Sequence, residues 1–521
     1  MESLGFVHLV VSASAILVTY LASTALYNIY FHPLSQLPGP KFWAAFRLPY
    51  IVSLWRGKLV YQVFDYHQKY GEVVRVAPNE VSFSNTKAWD DIYCRRPGHK
   101  PFPKNPIWWG EVPGRAESIV SASTWDNHER LRKMLSHCFT DRALAAEEPL
   151  VQRHVSRLIE KLLERSENSG KGNTVVNIVD WYMFTTFDII GDLSFGDPSA
   201  FGCLENSEYH PWVLEIFSYF KLGALFSTIR FYDLLAQLLM RMLPAKTVEA
   251  QERNYQWACK KVHRRMNLEI QREDFMNKIL PYMDEDPTAK KNHGGLSLAE
   301  LENNFYVLTV AGSETCGTVL SGTTSYLVKS PEALGKLTKE VRDAFFEPEE
   351  MSFNALIGLP YLNAVIEEGL RLSPPVGGAL AHVVPEGGDS VCGIWLPGGT
   401  NVGVHQWSAY RSPSKFHKPS EFLPERWLES SIRDLESPFY HDQRDGVQSF
   451  STGSWSCIGK NLGMAELRLI LARMVWSFDM SLAPGGKTVD WGTQKQYVLV
   501  EKEGFDVKLV PRAVAQEHAP E

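Results

Sequence analysis

The stretch Phe450-Ser-Thr-Gly453-Ser-Trp-Ser-Cys457-Ile-Gly459 decides the reading of this 521-residue chain. A cysteine before an apolar helix is, by itself, more often a small buried hydrophobe than a ligand. Its neighbours change that. Gly453 and Gly459 allow a tight backbone loop around the sulfur, and a helix starting near Ile458 presents its N-terminus, which favours a thiolate. With glycine at about 7% of residues, F-x-x-G-x-x-x-C-x-G arises by chance in well under roughly 1% of chains this long.

Composition sets the frame around that loop. Hydrophobic residues make up 44% of the chain and charged residues 22%, which are globular proportions. Lys and Arg number 53 against 60 Asp and Glu, and the net charge of −7 excludes general nucleic-acid affinity. The seven cysteines are odd in number, widely spaced and free of C-x-x-C, so neither a disulfide scaffold nor a cysteine-rich zinc site is expected. No G-x-G-x-x-G, complete P-loop, H-E-x-x-H or G-x-S-x-G occurs, which weakens nucleotide-binding and hydrolase readings.

The N-terminus is expected to sit in a membrane. Ser3 to Pro40 contains no Asp, Glu, Lys or Arg, and Phe6 to Tyr27 is long enough as a helix to cross about 30 Å of hydrocarbon. A cleaved signal peptide would want a basic start and a shorter apolar core. Lys41, Arg47, Arg56 and Lys58 precede the first acid, Asp65, an excess of positive charge that stays on the cytosolic side. Residues 1–32 are therefore read as an anchor and 33–59, with Pro33, Pro38 and Pro40, as a hinge and linker. Residues 60–521 are read as the main body.

That body reads as mainly α with a minor β region. Alternation at Val73–Val76 and Val81–Phe83 predicts strands, and Leu150–Leu163 and Phe217–Met242 carry helical periodicity. Asp284–Gly295 reads as a loop. Ser297-Leu-Ala-Glu300 is a capping box opening a helix that should reach Ser330 before Pro331. Further helices are expected over Tyr361–Leu372 and Lys460–Ser477, and small sheets over 376–405.

The cysteine stretch resembles the heme-binding loop of cytochrome P-450 monooxygenases, and three more motifs follow the family's order, so the resemblance spans the chain. It implies the P-450 fold, a heme b whose axial iron ligand is Cys457, and cofactor contacts from Phe450, Gly453 and Gly459. Glu368-Gly-Leu-Arg371 matches E-x-x-R, and Pro424-Glu-Arg426-Trp matches its partner segment. Together they imply a buried structural triad of Glu368, Arg371 and Arg426. Ala311-Gly312-Ser-Glu314-Thr315 matches A-G-x-[D/E]-T. Gly312 would let the helix deform and make room for oxygen, Thr315 would hydrogen-bond the oxygen under activation, and Glu314 would feed protons through water. Alone, the same residues fit a Thr bonded to its own i−4 carbonyl beside a solvated Glu.

In His128-Glu-Arg-Leu-Arg132, His128 takes the place of the family's usual Trp and Arg132 that of its Arg, both facing heme propionates. Two departures stand out. Trp455 replaces the loop's usual Arg, and His382 replaces the usual propionate Arg, so Arg132, His128 and His382 must compensate.

The resemblance further implies a monooxygenase taking electrons from NADPH through a separate reductase, NADPH-cytochrome P-450 reductase, docked near Lys460, Arg132 and Lys133. It implies a single-pass protein of the endoplasmic reticulum with the catalytic domain facing the cytosol. The stretches 30–40, 71–80 and 454–463 look most like fungal secondary-metabolism members, nearest in name to isotrichodermin C-15 hydroxylase. A hydrophobic substrate follows, met by loops near 98–122 and 205–230 that carry Trp108, Trp109, Phe217, Tyr219 and Phe220. Two alternatives stay open: the same heme fold performing rearrangement, desaturation or coupling, and a non-catalytic membrane-anchored heme protein.

Overall fold

The computed structural model describes residues 2–110, 112, 114–242, 245–268, 271–283 and 294–512. The expected loop at 284–295 thus lies almost wholly outside the described residues, as do the side chains of Tyr219 and Phe220.

A helix over Leu298–Leu327 runs through the centre, opened by the expected box: Ser297 Oγ accepts from the Glu300 N–H at 3.3 Å, and Glu300 Oε2 accepts from the Ser297 N–H at 3.1 Å. It stops three residues short of Ser330, because Pro331 forces its predecessor out of the helical region (Ser330 φ −124°, ψ 76°). The helix Ile178–Phe195 packs along it and is buried on every face, so it carries no amphipathic stripe. Lys460–Ser477 and Pro360–Leu372 complete the centre, close to the expected bounds.

The expected strands form small sheets. Val73–Ala77 pairs antiparallel with Glu80–Phe83, which pairs parallel with Asn401–Val404, and His382–Val383 closes that sheet at the far edge. A second sheet orders Thr174–Asn177, Asp506–Pro511 and Phe478–Leu482. All seven cysteines are free.

Two expectations change. Phe217–Met242 is not one helix but two, Pro211–Ile229 and Asp233–Met242. Neither Gly nor Pro marks the break. Ser227 Oγ and Thr228 Oγ1 donate to the carbonyls of Gly223 and Leu225, and tighter i→i+3 bonds at Arg230 and Tyr232 end the first helix. Residues 33–59 are also no free linker. Leu34 is 1% exposed, Trp43, Tyr50 and Leu54 pack with Val74 and Val76, and Arg75 donates to the Pro38 carbonyl through its N–H. The prolines do end the helix, but the apolar residues between them fasten the segment to the first sheet. Ahead of it, the helix Glu2–Leu26 is largely exposed, while the wider turn over Tyr27–Phe31 is tied to the body: buried Asn28 donates to the Ala45 carbonyl at 2.9 Å, and its own carbonyl accepts from Arg75 at 2.7 Å. Phe6–Phe31 is long and apolar enough to span a membrane, and its most apolar stretch is not buried. Pro211–Ile229 has similar length and apolarity but is part of the packed body.

Candidate functional site

The loop before Lys460–Ser477 closes through the Cys457 N–H, which donates to the Phe450 carbonyl at 2.7 Å. Gly453 sits at φ +64°, where a Cβ would lie 2.5 Å from the Tyr93 carbonyl oxygen; only glycine fits. Gly459 has φ −87°, and a Cβ there would meet Phe139 Cε1 only at an ordinary contact distance of 3.8 Å, so its contribution is its N–H, aimed at the Cys457 sulfur, rather than a special backbone angle. Cys457 is the exposed cysteine of the seven, although protein surrounds it. Burial pushes its thiol up, and the Gly459 N–H, Arg132 and Lys460 only partly pull it back. The helix terminus alone therefore does not make a thiolate here, because desolvation outweighs it.

The central helix crosses Lys460–Ser477 where a Cβ on Gly463 would lie 3.6 Å from Cys316 Sγ. One turn earlier, Ala311 is exposed in a helix otherwise buried on both sides. Thr315 Oγ1 donates to the Ala311 carbonyl at 2.7 Å. Gly312 faces away from this wall: a Cβ there would meet Ile190 Cδ1 at 2.7 Å, so the glycine serves close packing of two helices. The helix continues through Gly312.

Glu314 is not solvated. It is buried and ion-paired with Lys502, whose Nζ also reaches Thr318 Oγ1 at 3.2 Å. Burial raises the Glu314 pKa, and Lys502 opposes that without cancelling it. Its second oxygen, Oε2, has no hydrogen-bond partner. Glu314 and Lys502 line a cavity of about 330 Å³ with Val310, Phe217, Asp180 and Tyr209. A second cavity of about 80 Å³ is lined by Trp108, Trp109, Val376 and Ala381, and Tyr497 and Val498 border both.

The third group gathers around Trp455. His128 and His382 place their ring centroids 4.2 and 5.5 Å from it, and Trp125 stacks edge-on at 5.2 Å. Arg132 turns inward, donating to the Ser456 carbonyl at 2.5 Å and to Ser456 Oγ at 3.0 Å. It braces the loop instead of lying on the surface, whereas Lys133 and Lys460 are exposed. Spacing alone gave no sign of Lys104, whose Nζ lies 4.9 Å from the centre of the Trp455 ring.

Away from this wall, Glu368, Arg371 and Arg426 come together with no exposed surface. Arg371 donates to both Glu368 oxygens at 2.8 and 2.7 Å, and Arg426 Nε to Oε1 at 3.1 Å. Asp442, missed in the sequence, accepts from the other side of Arg426. Trp427 Nε1 and the Leu423 N–H occupy further Glu368 lone pairs at 2.9 Å each. Burial alone would raise the Glu368 pKa; Arg371 and Arg426 reverse that and hold it below the usual range.

These residues fit a heme. The chain offers a sulfur exposed in its centre, a loop in which Gly453 is the sole tolerated residue type, and a wall of cations with an orphaned His382 Nε2. The cytochrome P450 family model matches residues 34–509, so the packed stretch from Leu34 onward falls inside the family's body. The chain is 40% identical over 493 residues to the cytochrome P450 monooxygenase astJ of Aspergillus oryzae, covering 94% of this chain and 95% of that one. It is 39% identical over 501 residues to an averantin hydroxylase of Dothistroma septosporum, covering 96% and 90%. A trichothecene C-4 hydroxylase of Trichoderma arundinaceum is 38% identical over 513 residues, covering 96% and 98%.

Proposed function

The chain belongs to the cytochrome P450 family, and we propose that Cys457 is the axial ligand of a heme b seated between the 450–459 loop and the Ala311–Thr315 turn. The protein is a heme-thiolate monooxygenase that oxidises a hydrophobic small molecule in fungal secondary-metabolite biosynthesis. A thiolate-ligated heme supplies reductive activation of O₂, with one oxygen atom inserted into a C–H or C=C bond and the other leaving as water.

The protein's own residues do the rest. Glu314 Oε2 is a buried acceptor without a partner, on a carboxyl whose pKa is raised. That combination suits a group that takes a proton and hands it on. Lys502 holds the other oxygen, and the cavity beside them runs toward the exposed Lys221–Glu501 pair, a route by which solvent protons reach Glu314. Thr315 Oγ1 donates to the Ala311 carbonyl at 2.7 Å, and from there its hydroxyl would orient the oxygen to be protonated. Arg132 fixes Ser456 and thereby the backbone next to the sulfur.

Two electrons come from NADPH through a separate reductase, NADPH-cytochrome P-450 reductase, docking where Lys133 and Lys460 are exposed. Phe6–Phe31 anchors the protein in the endoplasmic reticulum, with the body from residue 33 onward on the cytosolic side. The substrate is a bulky apolar molecule of terpenoid, polyketide or alkaloid type, contacted by Phe217, Trp108 and Trp109.

The observation that carries this reading is the exposed Cys457 inside a packed centre, beside the turn bearing Ala311 and Thr315. The CO-difference spectrum of the dithionite-reduced protein tests it. A strongly red-shifted Soret band in the wild type, absent from Cys457→Ala, is the expected result. An unshifted band in both overturns the assignment.

A further inference from the structure

Four cationic or ionisable bases converge around Trp455: Lys104, His128, Arg132 and His382. Among the described residues, none of the four makes an ion pair with an Asp or Glu. They act on one another instead, and each interaction is repulsive. Arg132 disfavours the charge on Lys104, and Lys104 disfavours it on both histidines. Burial adds to this and leaves Lys104 at about 7, His382 at about 4 and His128 at about 3. Lys104 and Arg132 are half-buried beside the two buried imidazoles; positive charge held there without a counter-ion costs stability, and an anion that the chain does not supply completes the cluster.

The geometry says where that anion binds. Lys104 is bridged to His382 as an antiparallel backbone pair, with the Asn105 N–H donating to the Ala381 carbonyl at 3.0 Å and the Val383 N–H to the Pro103 carbonyl at 2.9 Å. This pairing sets both side chains on Trp455, in the heme loop itself. Lys104 Nζ gives two hydrogens to the carbonyls of Ile119 and Val120, at 2.9 Å each, and an ammonium has three. His382 Nδ1 is taken up by the Leu380 carbonyl at 3.0 Å, while Nε2 is buried without a partner. Each base thus has one site left over, and both flank one ring.

We propose that Lys104, held over Trp455, is the principal cation for the carboxylates of the heme, with His382 Nε2 as its companion. Trp455 and Lys104 together take the place of a loop arginine: the indole positions and the ammonium carries the charge. This assignment rests on the heme reading above and extends it to a residue outside every motif.

The test uses the full-length holoenzyme and its propionate-bending band in low-frequency resonance Raman spectra. In Lys104→Gln, which keeps a donor for the Ile119 and Val120 carbonyls but loses the charge, the band shifts while the iron–sulfur stretch stays in place. Transfer of heme to apomyoglobin then runs about tenfold faster, the scale of one lost charged hydrogen bond. Lys104→Arg returns both readings toward the wild type. An unmoved bending band in Lys104→Gln overturns the proposal, as does a band that Lys104→Arg fails to restore. Should Lys104→Gln not accumulate, wild-type protein loaded with hemin dimethyl ester answers from the ligand side. Faster transfer of the ester than of hemin supports the carboxylate site, and equal rates overturn it. A wild type without the red-shifted CO band fails the heme reading itself, a different outcome from any of these.

Discussion

The charged groups around Glu368 and those around Trp455 are built on opposite plans. Around Glu368, every guanidinium meets a carboxylate or a carbonyl: Arg371 reaches Glu368, Tyr410, Pro419 and Glu421, and Arg426 reaches Glu368, Asp442 and His417. Around Trp455, Lys104, His128, Arg132 and His382 have no acid among the described residues. The first cluster closes on itself, so its work is to hold three chain segments in register. The second is open by one anion, so its work is to bind. Charge balance separates structure from function here: the Glu368 cluster is fully buried and paired, whereas Lys104 and Arg132 are half-buried and have no acid among the described residues.

Breaking the closed cluster has the largest expected effect. Glu368→Ala leaves two buried arginines without their shared carboxylate, which should cost about 3–5 kcal/mol and abolish accumulation of folded holoprotein. Yield and denaturant midpoint measure it; a loss below about 1 kcal/mol contradicts the picture of a self-sufficient cluster. Asp442→Asn should cost less, about 1–3 kcal/mol, because Arg426 keeps Glu368. The CO spectrum of that variant should be unaltered once folded.

The Glu314–Lys502 pair stands between the two plans, one acid matched by one base with Oε2 left over. Lys502 works against the burial that raises the Glu314 pKa. Removing it in Lys502→Met raises that pKa further, so ionised Glu314 becomes available only at higher pH. The acid limb of the kcat profile should move to higher pH, with activity at neutral pH falling about tenfold if proton delivery limits turnover. An unchanged profile removes Glu314 from the proton route.

An effect confined to the pH dependence of stability is expected at Glu466, fully buried on the Lys460–Ser477 helix, where burial pushes its pKa up to about 8 and Oε2 has no partner. The folded state keeps this proton over the window from the ordinary carboxylate value to about 8, while the unfolded chain releases it. Its contribution therefore falls as pH rises through that window. Glu466→Gln removes this dependence, so its stability relative to wild type should rise from about pH 5 to about pH 8, by roughly 3 kcal/mol. Thermal midpoints at the two pH values check the sign.

Much of the site is legible in the sequence because its chemistry is local. Ser297 and Glu300 are three residues apart, as are Glu368 and Arg371, and a helix makes such pairs neighbours. The cysteine loop is legible for the same reason, since Gly453, Cys457 and Gly459 lie within a few residues of chain. Sequence pattern misleads where a residue has two possible neighbours. Arg132 is expected on the surface for docking as well as inside, and Ser456 decides for the interior. The prolines of 33–59 suggest a linker, yet Leu34 and Trp43 have a sheet to pack on.

By itself, the sequence determined the helical class, the central helix with its box, the cysteine loop and the exposed apolar N-terminal helix. Periodicity, caps and glycine positions act over a few residues and need no distant partner. The tertiary structure alone decided which charges meet. Lys502 reaches Glu314 across 188 residues, and Lys104 reaches the heme loop through a backbone bridge to His382. Such pairs form because the fold removes both groups from water and leaves each with few partners.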